Sequence, residues 1–136
     1  MNIIQHHEPI DIEALFKQTE NATIGIDDHD LELFAAEDDE IHSFLGSAEC
    51  KDRIGNAIRV AIGSDEAMKI FGRSSVFLLI VKYNSDCERP LMVEELSAIN
   101  KFVKVLPNGS DIQWSLMHDS TLDNKVEIIL LCNIKR

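Results

Sequence analysis

The sequence predicts an α/β (α+β) two-layer sandwich, in which helices cover a four-stranded mixed sheet. Segments with helical periodicity alternate with apolar runs of strand length along the chain. Two strand-like segments then follow each other directly at the end, as they do in a hairpin. The chain has 136 residues, 45% of them hydrophobic and 27% charged, so a single folded domain over residues 1–136 is expected.

The elements can be placed in chain order. They are a helix over residues 12–21, a strand over 22–26, helices over 54–62 and 65–71, a strand over 76–81, a helix over 92–106, and strands over 112–116 and 126–134. In the first helix, Ile12, Leu15 and Phe16 recur at helical spacing, and Asp11 is placed to cap the N-terminus. The strand over 22–26 is short and follows the end of that helix.

The middle helices are defined by apolar periodicity and by their end signals. From Ile54 to Ile62, apolar residues recur at i, i+3, i+4, i+7 and i+8, which predicts an amphipathic helix. Its polar face is expected to carry Arg53, Asn56 and Arg59. Glycine at the next position ends this helix, and the serine after it is placed to cap the following one.

The C-terminal elements follow the same logic. Residues 76–81 form a continuous apolar run, typical of a strand that is covered on both faces. Apolar positions over 92–106 step by four and three, which predicts a long helix with one buried stripe. Residues 112–116 alternate between apolar and polar, whereas 126–134 are apolar on both faces, so both segments are expected to be strands.

Composition excludes several classes of protein. The formal net charge of −11 lacks the basic footprint of a nucleic-acid binder. No run approaches 18 apolar residues and no cationic-apolar leader is present, so we expect a protein without a membrane span or secretion signal. Three widely spaced cysteines fit reduced thiols. A cytoplasmic protein is the expectation.

Much of the negative charge lies in one block. Residues 27–40 contain eight acids and no Lys or Arg, which favours an exposed segment. We expect an acidic insertion over 27–49 that the fold does not need; a surface for a basic partner or a weak cation site are the alternatives. An EF-hand is excluded, because Leu33 replaces the required glycine and Asp39 replaces the bidentate Glu.

The sequence contains no standard catalytic or cofactor motif. His6 and His7 are adjacent, and neighbours in an extended segment point to opposite sides, so they make a poor shared metal site. His42 and His118 have no triad partners at a motif distance. Neither a GxxxxGK[ST] nor a GxGxxG loop is present. No catalytic residue, metal, cofactor or GTP binding is therefore expected.

An ordered series of segments nevertheless resembles one family. His7-Glu-Pro-Ile-Asp11-Ile-Glu-Ala-Leu-Phe-Lys17 is similar to the end of a loop with pattern NxDxxD and the helix after it. Asn21–Gly25 resembles a strand ending "AMMGxG", 51–62 an "EDRAxxAAxxAI" helix, 75–83 a "GVLVNITAG" strand and 93–99 an "LxExxxVxxxI" helix. The series resembles the C-terminal domain of FtsZ, the bacterial tubulin homologue.

The resemblance implies a fold and a way of working. FtsZ binds nucleotide in an N-terminal GTPase domain with a GGGTG loop, which this sequence does not contain. In the family, the NxDxxD loop of one subunit supplies two acids to GTP held by the next. Aligned on Asp11 as the first acid, the Asn position is Pro9 and the second acid position is Ala14, with Glu13 adjacent. Asp11 and Glu13 are thus the implied partner-binding residues.

These features lead to a functional expectation. The main hypothesis is a non-catalytic, bacterial FtsZ/tubulin C-terminal-like interaction domain, related to cell division or filaments. Its expected partner is an FtsZ-like subunit or a second copy of itself, with no nucleic acid and no membrane. The alternatives are a small-molecule-binding regulatory domain on the same scaffold, and a fragment or decayed copy of a filament GTPase.

Overall fold

The part of the chain that the structure describes forms one five-stranded sheet with three complete α-helices, and residues 14, 15 and 17 are also helical. The structure, a computed structural model, describes residues 2–11, 14–15, 17, 40–49, 52–84, 91–107 and 109–134. The strands are β1 (Asn2–Gln5), β2 (Glu40–Ala48), β3 (Val76–Tyr83), β4 (Asp111–His118) and β5 (Val126–Ile134). The helices are α1 (Arg53–Ile62), α2 (Asp65–Arg73) and α3 (Ser97–Val105), with 3₁₀ helices at Val93–Leu96 and Ser120–Leu122.

The sheet is mixed, as predicted, but has five strands rather than four. Its order is β1-β2-β5-β3-β4. The outer pairs β1–β2 and β3–β4 are parallel, whereas β5 runs antiparallel to both β2 and β3. The predicted strand over 22–26 lies outside the described residues. The additional strands are β1, which is too short for a clear pattern, and β2, which was assigned to the acidic insertion.

The expectation of an exposed segment through residue 49 is wrong for residues 40–48. These residues form β2, which lies inside the sheet between β1 and β5. Ile41 is completely buried and Phe44 is 3% exposed. The two side chains lie on opposite faces of the sheet, and each packs into the core on its own face. Deleting this part would remove an interior strand, so the fold needs it. Residues 27–39 lie outside the described part of the chain.

The hydrophobic core has two parts, one on each face of the sheet. Helices α1, α2 and α3 cover the larger part, where Phe71 contacts the rings of Phe44, Phe77 and Phe102. The smaller part on the opposite face includes Leu15 among its buried residues. Strand β3 contributes to both parts, which explains its uninterrupted apolar sequence.

The helix ends agree with the end signals in the sequence. The Ser64 hydroxyl accepts a hydrogen bond of 3.0 Å from the Ala67 amide and so caps α2. The long C-terminal helix begins as 3₁₀ at Val93 and continues as α3 to Val105.

Arg53, predicted on the polar face of α1, is instead 4% exposed, because it is paired with Glu95.

Candidate functional site

The loop over residues 6–11 connects β1 to the helical residues Ala14, Leu15 and Lys17. A reciprocal pair of hydrogen bonds closes its base. The Gln5 side-chain amide donates to the Ile10 carbonyl at 3.2 Å, and the Ile10 amide donates to Gln5 Oε1 at 2.9 Å. This arrangement holds the two ends of the loop together and leaves Glu8 and Pro9 exposed.

Asp11 ends the loop and caps the helical turn that follows. Its Oδ1 accepts a hydrogen bond of 3.1 Å from the Ala14 amide, and its carbonyl accepts one of 3.1 Å from the Leu15 amide. The predicted cap at Asp11 is therefore confirmed. The Asp11 side chain is also exposed, so a partner can reach its carboxylate. Glu13, the other predicted partner-binding residue, lies outside the described residues.

Two histidines join the start of the loop, directly after β1, to β2. Nε2 of His6 is 2.8 Å from Nδ1 of His42, and Nε2 of His42 donates to the Glu40 carboxylate. On the far side of His6, Nδ1 lies 3.9 Å from Oε1 of Glu66 on α2. The His6 ring also stacks on Phe44, with 4.7 Å between centroids and 6° between planes. The result is a row of carboxylate, imidazole, imidazole and carboxylate.

His7 contacts β2 separately, through Ser43. Its Nε2 is hydrogen-bonded to the Ser43 hydroxyl, and its Nδ1 is 2.8 Å from the Glu8 carbonyl. This resembles the pairing of a nucleophile with an oriented base. Ser43 has no exposed surface, however, so no substrate can reach its hydroxyl. The contact therefore braces the loop against β2.

Cavities outside the loop region, in the part of the chain that the structure describes, include the following two. A groove of about 220 Å³ between α1 and α3 is lined by apolar Ile58 and Phe102 and by basic Arg59 and Lys101. A second cavity, of about 290 Å³, lies where β3 and β4 end.

Within the described residues, no group of three His, Cys, Asp or Glu side chains could hold a metal ion. No helix in that part of the chain could span a membrane.

The structure joins the predicted cap to a cluster that the sequence did not indicate. Asp11 was found from local spacing, because a capping residue lies next to the helix that it caps. His6 and His42 are 36 residues apart, and only the pairing of β1 with β2 brings them together. The sequence around Ile41 carries no clear alternation, because His42 and Ser43 separate it from Phe44, and the acidic block directly precedes it.

Among the comparisons with known proteins, the one with solved structures gives matches. No protein-family model matches the sequence, and no curated protein sequence is significantly similar to it. Among solved structures, an FtsZ dimer from M. jannaschii matches with a TM-score of 0.72 and 19% identity over 90% of this chain. The fold is that of the FtsZ/tubulin C-terminal domain.

A second FtsZ structure supports this assignment of the fold. A tryptophan-to-tyrosine mutant of M. jannaschii FtsZ matches with a TM-score of 0.67 and 16% identity over 93% of this chain. The aligned regions cover only 35% and 42% of the two FtsZ chains. The present chain thus spans about two-fifths of FtsZ or less, and the FtsZ-like fold inferred from its motifs is confirmed.

Proposed function

We propose that this chain is a protein-interaction domain that contacts an FtsZ-like subunit through the loop over residues 6–11. The observation that carries the proposal is the pair of exposed acids, Glu8 and Asp11, on a braced loop of an FtsZ-like fold. Because the base of the loop is held by Gln5 and Ile10, little conformational entropy is lost when a partner binds.

The loop can be aligned with the pattern NxDxxD in two ways, and the position of the helix favours one of them. With Asp11 as the first acid, the second acid position falls on Ala14, which is already helical. With Asp11 as the last acid, Glu8 takes the first acid position and His6 takes the Asn position. The second alignment keeps both acids in the loop before the helix, as the pattern requires. We therefore assign the contact to Glu8 and Asp11.

The chain is proposed to act without catalysis of its own. Its sequence has no phosphate-binding glycine loop, and GTP binding and hydrolysis are not expected from it. An FtsZ-like partner belongs to the bacterial cytoplasm and to cell division, so the same context is proposed for this chain. A GTPase assay of the purified chain should show no turnover above a boiled control.

A regulatory small-molecule site is the second candidate, and the groove between α1 and α3 is the observation that favours it. Its volume of about 220 Å³ is smaller than that of ordinary ligand pockets, which measure roughly 300–1,000 Å³. Interaction through the loop is therefore the better supported function. Self-association is the other form of such an interaction, since one matched structure is described as an FtsZ dimer.

The proposal is tested by binding purified FtsZ to the immobilised chain and to three charge variants. Glu8→Gln and Asp11→Asn each remove one loop charge, and Asn at position 11 keeps the cap. We expect each to weaken binding about two- to fivefold, the effect of one exposed charge pair. Asp111→Asn makes the same change on β4, at the opposite edge of the sheet, and is the matched control.

The outcomes separate the hypotheses. Equal losses in all three variants would indicate a general charge effect, and absence of binding by the unmodified chain would refute the FtsZ contact. Sedimentation equilibrium of the chain alone reports self-association in the same buffer. A concentration-dependent dimer that Asp11→Asn weakens would assign the loop to self-contact.

A further inference from the structure

The hydrogen-bond partners of His42 define where the protons of the histidine pair are. A carboxylate only accepts hydrogen bonds, so Nε2 of His42 carries the hydrogen that it donates to Glu40. In neutral His42, Nδ1 is then an acceptor, and Nε2 of His6 must donate to it across 2.8 Å. A single hydrogen therefore lies between the two rings and links β1 to β2.

The hydrogen bond between the two rings remains when one additional proton binds, and it is lost when both rings are protonated. A proton added to Nδ1 of His6 leaves the shared hydrogen in place and faces Glu66 at 3.9 Å. When both rings are protonated, each of the two facing nitrogens carries a hydrogen and neither can accept. Two positive charges then lie at hydrogen-bond distance, so the contact becomes repulsive.

We propose that the His6–His42 pair is a pH-sensitive latch. Its hydrogen bond holds β1 and the 6–11 loop on β2, and the bond is lost when both rings are protonated. Strand β1 is suited to release, because it has only four residues and, among the strands that the structure describes, lies at the sheet edge and pairs with β2 alone. Its remaining attachments include the bond from the His6 amide to the Ser43 carbonyl at 3.0 Å. The latch does not depend on which partner the loop binds.

The charged and titratable groups around the pair come from four elements. Among the described residues they are Glu40 on β2, His7 in the loop, Glu66 on α2 and the Cys132 thiol on β5, opposite His42. Burial raises the pKa of Cys132, so its thiol stays neutral and adds no charge. The contacts of His7 with Ser43 and Glu8 survive protonation, because both of its nitrogens can donate.

The direction of the pH effect follows from the lowered pKa of His6. Burial, followed by the charge of His42, lowers the pKa of His6 below its ordinary value of 6.5, and Glu66 opposes this shift. A histidine with a depressed pKa stabilises the fold above the pKa of the unfolded chain and loses that contribution as pH falls. Loss of the stabilising contribution of neutral His6 is therefore expected below pH 6.5, and release of β1 follows only where His42 is protonated as well.

Two NMR measurements on the intact chain test the latch. Ring carbon–hydrogen resonances report protonation of each histidine, and amide hydrogen exchange, corrected for intrinsic rates, reports opening of β1. We expect the His6 amide to stay protected while only one of the two rings is protonated. Its protection should fall about fivefold relative to β5 once both rings are protonated, since one hydrogen bond contributes about that factor.

Variants separate the latch from general acid destabilisation. In His6→Phe, which retains an aromatic ring against Phe44, the pH-dependent loss of β1 protection should disappear; His6→Gln serves the same purpose if the Phe variant does not fold. His118→Gln removes an imidazole at the end of β4 and should leave the loss unchanged. Unchanged β1 protection in the unmodified chain with both rings protonated would overturn the proposal, as would its pH-dependent loss in His6→Phe.

Discussion

Arg53 is the charged side chain with the most complete set of buried contacts. Its Nε and Nη2 donate to the two carboxylate oxygens of Glu95 at 2.8 and 2.7 Å, and Nη1 donates to the Asn124 carbonyl at 2.9 Å. Glu95 Oε2 also accepts from the Met92 amide at 2.9 Å. One guanidinium thus ties the start of α1 to the 3₁₀ helix before α3 and to the turn before β5.

Removal of Arg53 should be far more damaging than removal of its neighbour on the same helix. Arg53→Met leaves the Glu95 carboxylate partly buried without its cation, and we expect a loss of about 3–5 kcal/mol in the free energy of unfolding. Arg59→Met makes the same chemical change at an exposed pair with Asp52, where about 1 kcal/mol or less is expected. Urea denaturation followed by circular dichroism measures both, and similar losses would contradict this account.

Single residues differ in how far the sequence reveals their role. The capping roles of Asp11 and Ser64 were predicted correctly, because a cap and its helix are adjacent in the chain. The burial of Arg53 was not predicted, since its charge groups it with Asn56 and the exposed Arg59 as part of the polar face. Its partner Glu95 is 42 residues away, and such long-range pairs leave no local pattern.

Gly46 determines how closely α1 approaches the sheet. A Cβ atom at this position would lie 2.1 Å from the Ala57 carbonyl oxygen and 2.8 Å from the Ala61 nitrogen. Both are backbone atoms of a packed helix, so the clash cannot be relieved by rotating a side chain. Glycine in β2 thus allows α1 to rest directly on the strand.

We expect Gly46→Ala to destabilise the protein by about 1–3 kcal/mol or more, the usual cost of adding a methyl group to a packed core. Gly72→Ala is the matched control, because a Cβ there meets nothing within 4 Å and the residue is exposed in α2. Alanine is the better helix former by about 0.5–1 kcal/mol, so the control should stabilise. Thermal denaturation of both variants decides the comparison, and equal melting temperatures would refute the close approach.

At the scale of elements, the sequence predicted those with a strong repeating pattern. Helices α1, α2 and α3 and strands β3, β4 and β5 all correspond to predicted segments. Strand β2 was missed because it mixes Ile41 and Phe44 with polar His42 and Ser43, and because acids precede it. These polar side chains are tolerated inside because they bond to His6 and His7 of the loop, a context that exists only after folding.

The whole molecule resembles FtsZ over only part of the FtsZ chain. The matches cover 90% and 93% of its 136 residues, and an ordered series of weak motifs predicts this extent. In the family, subunits meet through a nucleotide-bearing face and the NxDxxD-loop face, so the contact is head-to-tail and can extend indefinitely. Under the proposed function, a polypeptide of these 136 residues presents the loop face without a nucleotide-bearing face, so it should occupy a filament end and prevent the next addition.

The central claim is tested by adding the chain to FtsZ that polymerises with GTP. We predict that about one chain per ten FtsZ subunits reduces sedimented filament mass and light scattering, because each bound chain blocks one growing end. The chain with both Glu8→Gln and Asp11→Asn should have little effect at the same ratio. Filament mass and scattering that stay unchanged with the unmodified chain, even at equimolar concentration, would contradict the account.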